Sequence, residues 1–549
     1  MRRSLWRGCI AVLAAAAAAA PLGARADERP KPHLITLDPA VATAPASDLC
    51  GPPARDPVPD GKPIVVVLPM RTGPSFTVGR IPSSWWHSPP SADPVWRLWF
   101  RGFEWLPQLA ARAGQDGQKQ SLRVLTDQIV AFHAQDPDPG TRTAAATANA
   151  NRWGWDEGST LRRLQAENCL YSLTKDARLV PGMKTDVGVQ YGPRFYGPPL
   201  HPVHNHGLMA DLGILDASEL LRRPDWWNRS VSRLKAEVPI AFTPTGTSKE
   251  QSSGYHAFDV SLWFAVADTV AGARPGDPAA ASFRALAKRG DRVTAWLTEP
   301  DGRLTVYGDA SRDPGTTRSK WTARVFRDDA AGVVVGRWSW TRPTTAYYVI
   351  RYGPPRTMHG QQDRGGITWS DLGRRILVNP GHHTFDAAGN NAAYVMNPVG
   401  HNVAFPLGRT LDLRAQVRMT AVGIRGPWHQ WTTGDALFGV AHVRHYAVGR
   451  DAHQLRVTDA FGPRTRRIRF EQVWHLDPAW RLVRSTGRTM VFKAGHRTLT
   501  MVTTGTATAV RGVSRPTSGW WYPDALHRVP AEQIVVRAAG SATTTFTIR

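Results

Sequence analysis

Several short stretches of this chain gather side chains that could exchange protons or hold an anion. In VHNHGLMADLG (203–213), Asn205 sits between two histidines, and Leu208, Leu212 and Leu215 then fall on one helical face. A helix start carries unpaired N–H groups and partial positive charge, so it suits an anion, and Asn205 is a favoured capping type. Asn205 and His206 would add side-chain donors there; the plainer alternative is a simple cap beside two solvated histidines. In SKEQSSGYHAF (248–258), Tyr255 and His256 stand at the rim of a loop where a helix begins. A phenol titrates near ~10, and nearby cations would bring it within reach of proton exchange at neutral pH; alone, such a tyrosine is also an ordinary packed aromatic. YGPPRTMHGQQDRGGITW (352–369) concentrates Arg356, His359, Gln361, Asp363 and Arg364 in a glycine-rich loop between strands, either a site carrier or an exposed turn. NRWGWDEGSTLRR (151–163) offers the indoles of Trp153 and Trp155 for sugar stacking and the guanidinium groups of Arg162 and Arg163 for anions.

These stretches need elements to position them. From about 93 to 300 the apolar spacing is helical, as in DPVWRLWFRGFEWLPQLAARAG, KQSLRVLTDQIVAFHAQ, EGSTLRRLQAENCLYSL and YHAFDVSLWFAVADTVAG. EPDGRLTVYGDASRDPG (299–315) breaks the pattern, and the period then changes to two, in runs such as GVVVGRWSW, TTAYYVIRYG and RTLTMVTTG. Helices first and strands second predict segregated domains: helical hairpins over 91–315, then antiparallel sheets over 316–549. Residues 27–90 are proline-rich and read as an irregular leader, with GKPIVVVLP as a short strand. The N-terminus has a basic start, a short apolar run and Ala24-Arg25-Ala26, which predict an export signal over 1–26. Arg2-Arg3 admits the twin-arginine route as well as the general one. Destination is therefore secreted or periplasmic, and no apolar run is long enough for a membrane anchor.

The composition is that of a folded protein, with 42% hydrophobic and 20% charged residues. The formal net charge is +24, and arginine far outnumbers lysine. Guanidinium binds carboxylate and sulfate with two prongs, so an acidic polymer is the expected partner, although a GC-rich genome also enriches arginine. Nucleic acid is not expected: the basic residues are spread along the chain and no nucleic-acid-binding motif is present. Of the 3 cysteines, Cys9 falls in the signal, leaving Cys50 and Cys169 either as a disulfide or as separate thiols. The sequence specifies no oligomeric state.

HNHGLMADLGILDAS, EQSSGYH, PDGRLTVYGD, HGQQD and ILVNPG, taken in this order, resemble the heparinase II/III-like polysaccharide lyases, among them alginate and heparan lyases. The resemblance implies an incomplete (α/α) toroid followed by an antiparallel β-sandwich, and β-elimination of a uronic-acid-containing polysaccharide. On its motifs, Asn205 corresponds to the asparagine that neutralises the uronate carboxylate, and His206 to the histidine beside it. Tyr255 corresponds to the tyrosine that protonates the departing O4, and His359 to the histidine that acts as base or carboxylate partner. Arg162, Arg163, Trp153, Trp155 and Arg356 are the expected substrate-binding residues. The sequence departs from the family pattern at one place. Several relatives carry His-x-His in the loop, its second histidine binding zinc, and an aspartate before the following Pro-Gly; here those positions are Gln361 and Asn379. Two amides are poor zinc ligands, so no metal cofactor is expected, with His382, His383 and Asp386 the nearest substitutes. The competing readings are a glycoside hydrolase, which would need paired carboxylates, and a non-catalytic glycan-binding protein, which would not need Tyr255 and His359.

Overall fold

The structure is a computed structural model that describes residues 33–36, 49–68, 73–137, 154–192, 205–383, 390–463, 467–524 and 527–549. The expected signal segment, Trp153 and Asp386 lie outside the described residues. The chain divides into two compact units, Met1–Ala241 with Asp259–Ala287, and Phe242–Phe258 with Lys288–Arg549.

The first unit is mainly helical. Asp93 caps the Pro94–Arg101 helix by accepting from the Val95 amide at 2.8 Å, and Asp156 caps the Glu157–Thr174 helix by accepting from Ser159 at 2.9 Å. The latter helix stops at Lys175, whose φ of 53° is left-handed. It packs against Leu106–Gln115, Lys119–Gln135, Val180–Gln190 and Asn205–Leu220, and the last of these packs on Pro224–Ala241. Trp86, Trp96, Phe100, Phe103, Trp105, Phe132 and Trp155 form an aromatic core, with Trp86 and Trp96 stacked on Phe100. The expected irregular leader is more ordered than its proline content predicts. His33–Thr36, Ile64–Val67 and Phe76–Thr77 form a three-stranded sheet, and Ile64, Val66, Phe76 and Val78 are buried in the helical core. Buried apolar area outweighs the local prolines there. A Cys50–Cys169 disulfide ties this segment to the Glu157–Thr174 helix, which decides between the alternatives left by the sequence.

The second unit is built from antiparallel sheets. A five-stranded sheet runs in chain order from Val325–Asp328 to Arg374–Leu377. An eight-stranded sheet carries Arg418–Arg425 and Arg481–Ser485 at its edges, and a four-stranded sheet places Glu532–Ala539 beside Arg469–His475. Residues of all three share one core, including Tyr348, Trp369, Trp431, Val457, Trp474 and Ile534. The architecture is thus helices followed by antiparallel sheets, as the change of period predicts. The boundary differs from the expected 315/316. Phe242–Phe258 and the chain from Lys288 belong to the sheet-rich unit because their polar groups are satisfied there. Tyr347 donates to the Trp296 carbonyl at 3.0 Å, Thr243 donates to Asp328 at 2.5 Å, and Ser253 donates to the Thr305 carbonyl at 2.6 Å.

Candidate active site

Three loops of the sheet-rich unit, 248–255, 307–310 and 355–361, are woven together by their backbones. The His359 amide donates to the Glu250 carbonyl at 3.2 Å, and the Asp309 amide donates to the His359 carbonyl at 2.8 Å. Gln251 clamps the third loop with its side chain, accepting from the Thr357 amide at 2.9 Å and donating to the Pro355 carbonyl at 2.9 Å. Gln251 and Met358 hold left-handed backbone, φ 60° and 42°, which non-glycine residues adopt only where their surroundings over-determine it. Gly308 is required at the crossing: its φ is +61°, and a Cβ there would lie 2.4 Å from the Gln251 carbonyl oxygen and 2.6 Å from that of His359.

The Ser253–Ala273 helix begins inside this weave. Ser252 accepts from the Tyr255 amide at 3.3 Å and donates to the Asp309 carbonyl at 2.6 Å, so the turn that carries Tyr255 is fixed to the second loop. His256 does not share the rim position expected for it. It is fully buried, accepts from the Ser248 amide on Nδ1 at 3.1 Å and donates from Nε2 to the Gly290 carbonyl at 3.1 Å. Burial pulls its pKa down to about 4, so it is a neutral structural imidazole.

Tyr255 and His359 come together face to face, with ring centroids 3.4 Å apart and planes within 5°. Carboxylates flank the imidazole. Asp309 Oδ2 lies 3.3 Å from Nδ1, and Glu250 Oε2 lies 3.6 Å from Nε2. The other Asp309 oxygen accepts from Gln361 Nε2 at 3.0 Å and lies 3.2 Å from His382 Nδ1. Burial pushes the Asp309 carboxyl up, but hydrogen bonds from His359 and His382 outweigh it and hold the group well below the usual carboxylate range. Glu250 and Asp309 are not among the expected site residues, although they lie in the motifs EQSSGYH and PDGRLTVYGD, and His382 is expected only as a substitute metal ligand. Their contacts span roughly fifty to a hundred residues of chain, which local spacing does not report.

The two amides that depart from the expected zinc pattern, Gln361 and Asn379, each donate within the protein. Gln361 also donates to the Gly381 carbonyl at 3.2 Å, and Asn379 donates to Asp363 at 3.4 Å. His401, buried beside them, bridges Asn379 Oδ1 at 2.7 Å and the Val395 carbonyl at 2.9 Å.

The remaining expected residues divide sharply. Asn205 is the first residue of its helix and is 2% exposed, and His206 Nδ1 lies 2.9 Å from Glu157 Oε1; both belong to the helical unit. Arg356 donates to the Gly360 carbonyl at 2.5 Å, closing the turn around His359. Two expected substrate contacts, Trp155 and Arg163, are corrected. Trp155 is fully buried and donates to the Asp136 carbonyl at 3.1 Å, so neither indole face is open to a sugar. Arg163 is fully buried in a two-pronged pair with Asp186, at 2.8 and 2.7 Å, and lies over the Trp155 ring. Arg162 is paired with buried Glu104 at 3.0 Å and donates to the Gly158 carbonyl. An arginine-aromatic cluster is thus spent on the core of the helical unit. Burial decides between core and ligand use, and a linear sequence does not display it.

Residues 327–549 match the family model described as Heparinase II/III-like, C-terminal. No curated protein matches the chain in sequence. Among solved structures, heparinase III matches with a TM-score of 0.69 at 13% identity, over 84% of this chain and 78% of that one. The heparan sulfate lyase HepC of Pedobacter heparinus, as a mutant, matches with a TM-score of 0.65 at 13% identity, over 92% of this chain and 85% of that one. At this identity the likeness is one of fold.

Proposed function

We propose that this chain, whose residues 327–549 form a heparinase II/III-like C-terminal domain, is an exported polysaccharide lyase that cleaves a uronic-acid-containing glycan by β-elimination. The observation that carries the reading is the Tyr255–His359 stack, a phenol and an imidazole held together by three interlocked loops with carboxylates behind the imidazole. In the reaction the C5–H bond breaks, its electron pair forms the C4–C5 double bond, the C4–O4 bond breaks, and O4 takes a proton. The C5 proton is weakly acidic because a carboxylate anion stands beside it, so the site must quench that charge as the carbanion forms. We assign that task to Asn205 and His206, protonation of O4 to Tyr255, and the role of base or carboxylate partner to His359. Arg356 borders the imidazole loop and, with Arg162, keeps its expected binding role in this reading.

The chemistry of the donors favours a metal-free reaction. Gln361 and Asn379 present neutral amides rather than an imidazole and a carboxylate, a poor set for zinc. A hydrolase is disfavoured by the same geometry, since Glu250 and Asp309 are turned onto one imidazole rather than set as an acid–base pair. Among the described residues no helix is long and apolar enough to cross a membrane.

Because the matched structures include a heparan sulfate lyase, heparan sulfate is the first polymer to test, beside hyaluronan and alginate. The expected result is a rise in ultraviolet absorbance from the unsaturated uronate product. New reducing ends without that absorbance would reassign the chain to hydrolysis, and binding without either would make it a glycan-binding protein.

A further inference from the structure

We infer that Asp309 is the positioning residue of this site: one carboxylate oxygen takes the Nδ1–H of His359 and fixes the proton on that ring nitrogen, while the other oxygen holds His382. The kinetic part of this inference rests on the lyase reading; the tautomer part does not.

Asp309 is anchored from every side. Its amide donates to the His359 carbonyl at 2.8 Å, and its carbonyl accepts from Ser252 at 2.6 Å, the same serine that accepts from the Tyr255 amide. Its carboxylate meets His359 Nδ1 at 3.3 Å, Gln361 Nε2 at 3.0 Å and His382 Nδ1 at 3.2 Å. One residue therefore connects the turn carrying Tyr255, the loop carrying His359 and the strand end carrying His382.

The tautomer follows from the donor inventory. An ionised carboxylate accepts and does not donate. Gln361 Nε2 donates to one Asp309 oxygen at 3.0 Å and His382 Nδ1 lies 3.2 Å from the same oxygen, surroundings that suit an accepting carboxylate. Nδ1 of His359 then carries the proton, and Nε2, 3.6 Å from Glu250 Oε2, is the ring nitrogen left to exchange one. A carboxylate that orients an imidazole in this way sets which nitrogen does chemistry without touching substrate. Gln361 reinforces the arrangement: its Nε2 donates to the other Asp309 oxygen at 3.0 Å.

Asp309→Asn is the discriminating variant. An asparagine can fill the same space, but its NH2 group facing Nδ1 would favour the opposite tautomer. Two readouts apply to the full-length protein. The first is 15N NMR of histidine-labelled protein without substrate, with His359 assigned from the signal lost in His359→Gln. The wild type should show a protonated Nδ1, and Asp309→Asn should move the proton to Nε2. An unprotonated Nδ1 in the wild type overturns the inference whatever the variant does, including a variant that fails to fold. The second is steady-state kinetics on whichever polymer the wild type cleaves. Asp309→Asn should lower kcat by about 10²- to 10⁴-fold, the scale of losing an oriented base, with KM within about threefold. Asp309→Glu, which keeps an accepting carboxylate, should recover at least tenfold of that loss. A folded Asp309→Asn with wild-type kcat overturns the inference. A wild type that eliminates no polymer overturns the lyase reading instead and leaves the NMR result to judge Asp309 alone.

Discussion

Tyr255 and Arg163 show how differently two expected site residues behave once their surroundings are known. Tyr255 is partly exposed and stacked on His359, so Tyr255→Phe removes the hydroxyl while keeping the ring that stacks. Turnover should fall by about 10²-fold or more while glycan binding and melting temperature stay near wild type. Initial rates and a binding isotherm on the same preparation check this, and an unchanged rate would remove the phenol from the mechanism. His359→Ala should lose turnover on a similar scale. Arg163→Ala should do the opposite. It strands buried Asp186 without its partner, which costs about 3–5 kcal/mol of stability, and any surviving folded protein should bind glycan with the wild-type KM. Denaturant titration reads the first outcome and kinetics the second. The Tyr255 and His359 motifs were legible in sequence because they are short and local. The burial of Trp155 and Arg163 was not, because the residues that cover them, Phe132 and Asp186, arrive from other helices.

The change from helical to alternating period located the sheet-rich part correctly, yet the loops that build the site belong to neither pattern. Gln251, Gly308 and Met358 lie in loops tied together by main-chain hydrogen bonds of their neighbours Glu250, Asp309 and His359, and no propensity encodes those. The proline-rich start holds the strand expected in GKPIVVVLP but is more ordered around it: few of its residues are periodic, yet its apolar side chains enter the helical core and its cysteine closes a bridge. The Cys50–Cys169 bridge spans a sequence separation of 119, so reduction should cost the helical unit about 2–4 kcal/mol and lower its melting temperature by several degrees. A melt with and without reductant, against a Cys50→Ser control that should not respond, measures it. Within the sheets, His442 lies 2.9 Å from Asp435 and 2.7 Å from Asp459. Burial alone would lower its pKa, but hydrogen bonds to both carboxylates outweigh that and push it up to about 9. A folded value above the unfolded 6.5 means the stabilisation is complete below that pH and is lost as pH rises through about 9. Melting temperature should therefore decline across that window, and His442→Gln should flatten the decline.

At the scale of the molecule, the net charge of +24 bears on the substrate more than on the fold. With a polyanionic glycan, KM should rise as salt is raised through the physiological range, with kcat affected less. A KM indifferent to salt would point to a neutral polymer. The division of the chain has a practical consequence for anyone recombining this protein with a relative. The backbone passes between its units after Ala241, after Phe258 and after Ala287. A chimera spliced once, where the family match starts at 327, takes His359 from one parent and leaves Tyr255 and Asp309 with the other. Stacked and charge-linked partners would then be drawn from different ancestors, so libraries with a single breakpoint should be rich in inactive offspring. Exchanges that carry 242–258 and 288–549 as a linked pair should keep Tyr255, Asp309 and His359 from one ancestor.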